Sequence, residues 1–114
     1  MSVYLSSQKI IKDWIDYNDH MNVSYYLLIF DKYGADTLNN IFKMGEHSAK
    51  TTGKSTMIVE SNITYTQELK VDDEDDVNLV YFDHDKKRLQ YKMEMVHKDK
   101  KFLASTIEAV SYTH

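Results

Sequence analysis

The sequence predicts an α+β domain: one long helix wrapped by an antiparallel sheet of about five strands. Three observations carry the prediction. Apolar residues recur at spacings of three and four between Val23 and Met44. From Ser55 onward the apolar period changes to two. A chain of 114 residues is enough for one hydrophobic core and hardly for two, so residues 1–114 read as one domain.

The elements follow in order. Residues 4–15 mix apolar and polar positions and predict a strand around Lys9–Ile15. A polar cluster follows, with Asp16, Asn18, Asp19, His20 and Asn22 within seven positions. Tyr26, Leu27, Phe30, Tyr33, Thr37, Leu38, Ile41 and Phe42 then mark the buried stripe of a helix. Asn22 suits its N-cap and Gly45 its C-terminal stop, so the helix is expected over Val23–Met44. Residues 46–54 are a polar loop. Residues 55–71 read as a strand carrying Ile58, Ile63, Tyr65 and Leu69. The acidic run at 72–76 reads as a turn, and 77–85 as the next strand. Beyond the hairpin turn that follows it, Leu89, Tyr91, Met93 and Met95 alternate with Gln90, Lys92 and Glu94. A turn at 99–101 and a strand at 102–113 close the chain's pattern. A sheet with one apolar face has to cover it, and a single long helix can do so. That arrangement is the hotdog fold. Its exposed edge strands favour pairing into a homodimer or homotetramer.

Composition excludes several functions. There are no cysteines, which removes disulfides, thiolate metal sites and a thiol nucleophile. The formal net charge of -4 argues against nucleic acid as the main partner. No apolar run approaches the roughly 20 residues that span a bilayer. The first residues lack the apolar stretch of a signal peptide, so a cytoplasmic protein is expected. With three glycines and no proline, neither a P-loop nor a dinucleotide fingerprint can be written. The five histidines (20, 47, 84, 97 and 114) show no paired ligand spacing, so no metal is expected.

The motif Asp16-Tyr-Asn-Asp-His20-Met-Asn22-Val23, with Tyr25 and Tyr26 after it, resembles the signature of hotdog-fold acyl-CoA thioesterases of the 4-hydroxybenzoyl-CoA thioesterase type. The strand pattern Ile58–Leu69 and the hairpin Lys86–Tyr91 resemble the same family. Within it, the chain is most similar to the subgroup of betainyl-CoA thioesterases, which also occur fused to carnitine dehydrogenase. The resemblance covers nearly the whole chain and implies an acyl-CoA substrate, no cofactor, and active sites at a subunit interface. In one place the chain departs from the signature: Asp19 stands where the family usually has Gly. Asp tolerates left-handed backbone better than most residues, so the turn is expected to survive. Its charge, close to Asp16, would raise the pKa of a carboxyl or repel an anionic acyl group.

Thioester hydrolysis needs an activated nucleophile and a donor for the developing oxyanion. A helix start supplies free N–H groups and partial positive charge. Asp16 is therefore the candidate catalytic carboxylate, acting either as nucleophile or as base for water. The Val23 N–H is the candidate oxyanion donor, and His20 and Asn22 are candidates to orient substrate or water. The competing reading is that an Asp/Asn run before a helix is capping and turn chemistry alone. Candidate binding residues are Tyr17 and Tyr26; Glu60 within an apolar strand, read first as solvent-facing and otherwise as facing a neighbouring subunit's pocket; and the basic cluster Lys86, Lys87 and Arg88, for coenzyme A phosphates or as a solvated turn. Should the acyl group be a quaternary ammonium, Trp14, Tyr17, Tyr25 and Tyr26 are the rings available to face it, or else to pack the helix onto the sheet. The non-enzymatic rival is a hotdog module that binds acyl-CoA, or only oligomerises.

Overall fold

The structure is a computed structural model and describes residues 3–35, 37, 56–84 and 87–113. Five strands form one antiparallel sheet: β1 (Val3–Lys9), β2 (Thr56–Tyr65), β3 (Glu74–His84), β4 (Arg88–His97) and β5 (Leu103–Thr113). Their order is β1-β3-β4-β5-β2, so β1 and β2 are the edges. The helix α1 (Val23–Leu28) continues without a break into a π-helical segment, Ile29–Ala35, and both lie on the sheet's apolar face. This is the hotdog fold.

The alternation read in β4 is the clearest match. Leu89, Tyr91, Met93 and Met95 are buried, and the residues between them are half exposed. Val77 and Leu79 of β3 and Ala104, Ile107 and Ala109 of β5 complete the sheet's share of the core. The helix contributes Tyr26, Ile29, Phe30 and Ala35. Gly34 lets the helix lie close: a Cβ there would sit 2.7 Å from Met93 Sδ and 3.1 Å from a Val77 methyl.

Four sequence expectations are corrected. The first strand is Val3–Lys9, not Lys9–Ile15; Lys12–Trp14 form a 3-10 turn that buries Trp14. β1 stops because Ile10 turns inward, exchanging backbone hydrogen bonds with Asp72 (2.9 Å) and Asp73 (2.8 Å). The acidic run is not a turn throughout: Glu74, Asp75 and Asp76 already belong to β3. The strand expected over residues 55–71 leaves the sheet after Tyr65. Finally, the second half of the described helix is π-helical. Its looser winding brings Gly34 and Ala35 onto the sheet, where a 3.6 period had placed Tyr33 and Thr37. Leu27, expected inside, is 44 % exposed, and Ile29 is buried instead. The expected helix end at Gly45 and the loop at 46–54 lie outside the described residues.

Candidate active site

The chain from Trp14 to Val23 folds as a small closed loop leading into the helix. Ile15 and Met21 pair as an antiparallel bridge. The Asp16 N–H donates to the His20 carbonyl at 2.9 Å, and the Asn22 N–H donates to the Trp14 carbonyl at 2.9 Å. Asp16 closes the loop with its side chain too: Oδ1 accepts from the N–H of Asn18 (2.8 Å) and of His20 (3.2 Å). The other carboxylate oxygen, Oδ2, accepts no hydrogen bond among the described residues. Asp19 sits at φ 63°, in the left-handed region, which explains how it replaces glycine: the turn needs that angle, and Asp tolerates it.

The helix start follows at once. Asn22 is the N-cap, its Oδ1 accepting from the Ser24 N–H at 3.0 Å and the Ser24 hydroxyl at 2.6 Å. The Tyr25 N–H is taken by the Asn22 carbonyl at 3.0 Å. The Val23 N–H is thereby left without an acceptor among the described residues. It stands at the positive end of the helix.

Asp16, His20, Met21, Asn22, Val23 and Tyr26 line one wall of an open cleft of about 430 Å³. Tyr65, Thr66, Gln67 and Glu68 line the opposite wall. The two walls are joined by the Met21 N–H donating to the Leu69 carbonyl at 3.2 Å. They are joined again by His20 Nε2, 3.0 Å from Glu68 Oε2. Tyr26 links the walls once more, edge-to-face with Tyr65 at 5.3 Å, its hydroxyl accepting from the Leu69 N–H at 3.2 Å. Burial raises the Tyr26 pKa, so its hydroxyl stays protonated at neutral pH.

Five of the sequence candidates thus converge: Asp16, His20, Asn22, Val23 and Tyr26. The others do not. Tyr17 is 95 % exposed at the loop tip, outside the cleft. Glu60 is exposed on edge strand β2. Lys87 and Arg88 lie at the β3–β4 hairpin, exposed; β4 sets that hairpin roughly 30 Å from the end of the sheet near the cleft. Lys86 lies outside the described residues. Trp14 stacks on Tyr25 at 5.6 Å, a packing pair and not a cleft wall. The cleft residues missed from the sequence are Tyr65, Thr66, Gln67 and Glu68. The sequence shows only that three polar residues, Thr66 to Glu68, interrupt the alternation before Leu69, which does not say what they face. Among the described residues no cluster of His, Asp and Glu suits a metal ion, and no helix is long and apolar enough to cross a membrane.

A hotdog sheet whose loop carboxylate, Asp16, and first helix residue, Val23, line one cleft defines a class: hotdog proteins with a candidate site at the start of the helix. The sequence comparison is more specific, and the chain belongs to the thioesterase-like superfamily, whose family model matches residues 11–112. Over 80 residues it is 29 % identical to the betainyl-CoA thioesterase of Pseudomonas aeruginosa, covering 70 % of this chain and 50 % of that protein. The chain thus spans about half the length of that curated relative. A Staphylococcus aureus protein solved in complex with CoA superposes with TM-score 0.82 at 26 % identity, covering 99 % of this chain and 71 % of the other. A 1,4-dihydroxy-2-naphthoyl-CoA thioesterase from Synechocystis shares the fold with TM-score 0.84 at 10 % identity, covering 99 % and 82 %.

Proposed function

We propose that this protein hydrolyses a small acyl-CoA thioester to the free acid and coenzyme A, with Asp16 as the acting carboxylate. One observation carries the reading: Asp16, whose Oδ2 accepts no hydrogen bond among the described residues, and Val23, whose N–H has no acceptor among them, line the same cleft. With the thioester carbonyl seated between them, Oδ2 attacks the carbonyl carbon or takes a proton from an attacking water. The carbonyl oxygen gains charge and is held by the Val23 N–H. The C–S bond then breaks, and coenzyme A leaves as its thiolate. In the nucleophilic route, water hydrolyses the resulting anhydride; in the base route, the acid forms directly. His20 and Asn22 hold the loop and helix start in register. No cofactor is invoked, and a cytoplasmic setting fits the substrate.

Among the described residues, the lining carries two carboxylates, one histidine and no lysine or arginine. That favours a neutral or cationic acyl group over an anionic one. A quaternary ammonium acyl group, as in the name of the Pseudomonas aeruginosa relative, would meet the rings of Tyr26 and Tyr65. The test is free-thiol release from a panel of cationic, neutral and anionic acyl-CoA esters, with Asp16→Asn in parallel. Turnover that falls at least about a hundredfold in the variant is the expected result. Undiminished turnover in the variant removes Asp16 from the mechanism. Binding of acyl-CoA with no turnover in the parent makes the domain a binding module.

A further inference from the structure

We infer that Glu68 is a positioning residue for Asp16, acting through His20; the inference rests on the reading of Asp16 as the acting group. Three contacts make the chain of action. The Glu68 carboxylate meets His20 Nε2 at 3.0 Å. The His20 backbone N–H donates to Asp16 Oδ1 at 3.2 Å. The His20 carbonyl accepts from the Asp16 N–H at 2.9 Å. Whatever fixes His20 therefore fixes both the backbone and the carboxylate of Asp16.

The loop needs such a tether. Its tip, Tyr17, Asn18 and Asp19, is exposed, so few apolar contacts restrain it. Behind it, the loop's own backbone bonds to the opposite wall only through the Met21 N–H and the Leu69 carbonyl among the described residues. A loop held at one such bond can swing; a second anchor one residue away stops the rotation. Glu68 supplies that anchor from the opposite wall. Both side chains are substantially exposed, at 40 % for His20 and 60 % for Glu68, so the pair adds little to global stability. Its effect lies in the geometry of the carboxylate, where small misplacement costs rate.

Kinetics on a thioester that the parent turns over tests this. Glu68→Ala should lower kcat roughly fivefold, about the upper worth of an exposed side-chain contact, with the melting temperature falling by no more than a few degrees. KM should stay within about twofold, because the contact acts on the reacting carboxylate and not on bound substrate. Glu68→Gln, which keeps an acceptor for the Nε2–H, should recover most of the loss, and Glu68→Asp, one methylene shorter, should not. His20→Ala should match Glu68→Ala, and the double variant should be no worse than either single one. An unchanged kcat in Glu68→Ala, a rise in KM alone, or additive losses in the double variant would overturn the inference. Asp16→Asn measured alongside separates the two readings. If it abolishes turnover while Glu68→Ala does not lower kcat, only the role of Glu68 falls. If it leaves turnover intact, the role of Asp16 falls first.

Discussion

Asp75 is fully buried on the core face of β3, and neither of its carboxylate oxygens has a hydrogen-bond partner among the described residues. Burial pushes its pKa up to about 7 from 3.8, and the neighbouring Asp76 charge adds to the rise. The folded state therefore holds this proton more tightly than the unfolded chain does. Below about pH 4 both states are protonated and folding is not penalised. Between pH 4 and 7 the unfolded chain ionises and the folded one does not, so stability falls as pH rises; above 7 the deficit is constant, at roughly 4 kcal/mol. Asp75→Asn should remove most of that slope and raise stability at pH 8. Urea unfolding at pH 5 and pH 8 measures it, and equal slopes in parent and variant would refute the account. Across the sheet, His97 shows the opposite solution for a buried polar group. Its Nδ1 accepts from the N–H of Asp99 (3.2 Å) and Lys100 (3.0 Å), so the proton is on Nε2, 3.4 Å from Asp73 Oδ1.

At the level of elements, the contact between helix and sheet is tightest at Gly34. A methyl group there would enter the space of Met93 Sδ and a Val77 methyl, both on fully buried residues. Gly34→Ala gains helix propensity of about 0.5–1 kcal/mol but overpacks the core by about 1–3 kcal/mol. The net expectation is a loss of about 1 kcal/mol, read as a lower urea midpoint at unchanged slope. A midpoint at or above the parent's would mean that the helix shifts at no cost. The π-helical segment belongs to the same contact: its winding is what sets Gly34, and no bulkier residue, over Met93.

For the whole molecule, the surface most in need of a partner joins the helix to edge strand β2. Val23, Leu27 and Leu28 are exposed on the helix, and Val59 and Tyr65 on β2. A shallow groove lined by Ser24, Leu27, Leu28, Asp31 and Ser61 runs between them. A second copy pairing at this face would cover the apolar residues and the open backbone edge together, and would close the cleft from the Tyr65 side. Light scattering should give a dimer or tetramer mass for the parent, and Leu28→Glu should lower it to the monomer. A monomeric parent would overturn the expectation of a shared site.

The sequence by itself determined the strand alternation, the existence and start of the helix, and the polar turn before it. Those are local properties: side-chain period, a capping Asn22, an Asp19 that accepts φ 63°. The sequence's resemblance to the thioesterase signature, added to the helix start, also singled out Asp16 and Val23, and the two line one cleft. Only the tertiary structure decided the opposite wall. Glu68 is 48 residues from His20 in the chain, and nothing in either neighbourhood announces their contact. The burial of Asp75 was hidden for the same reason. Within an acidic run it reads as solvated, and only the register of β3, with Val77 and Leu79 inward, turns its carboxyl into the core. Local chemistry is written in spacing, whereas what meets across a sheet is set by register and packing, which no single stretch of sequence contains.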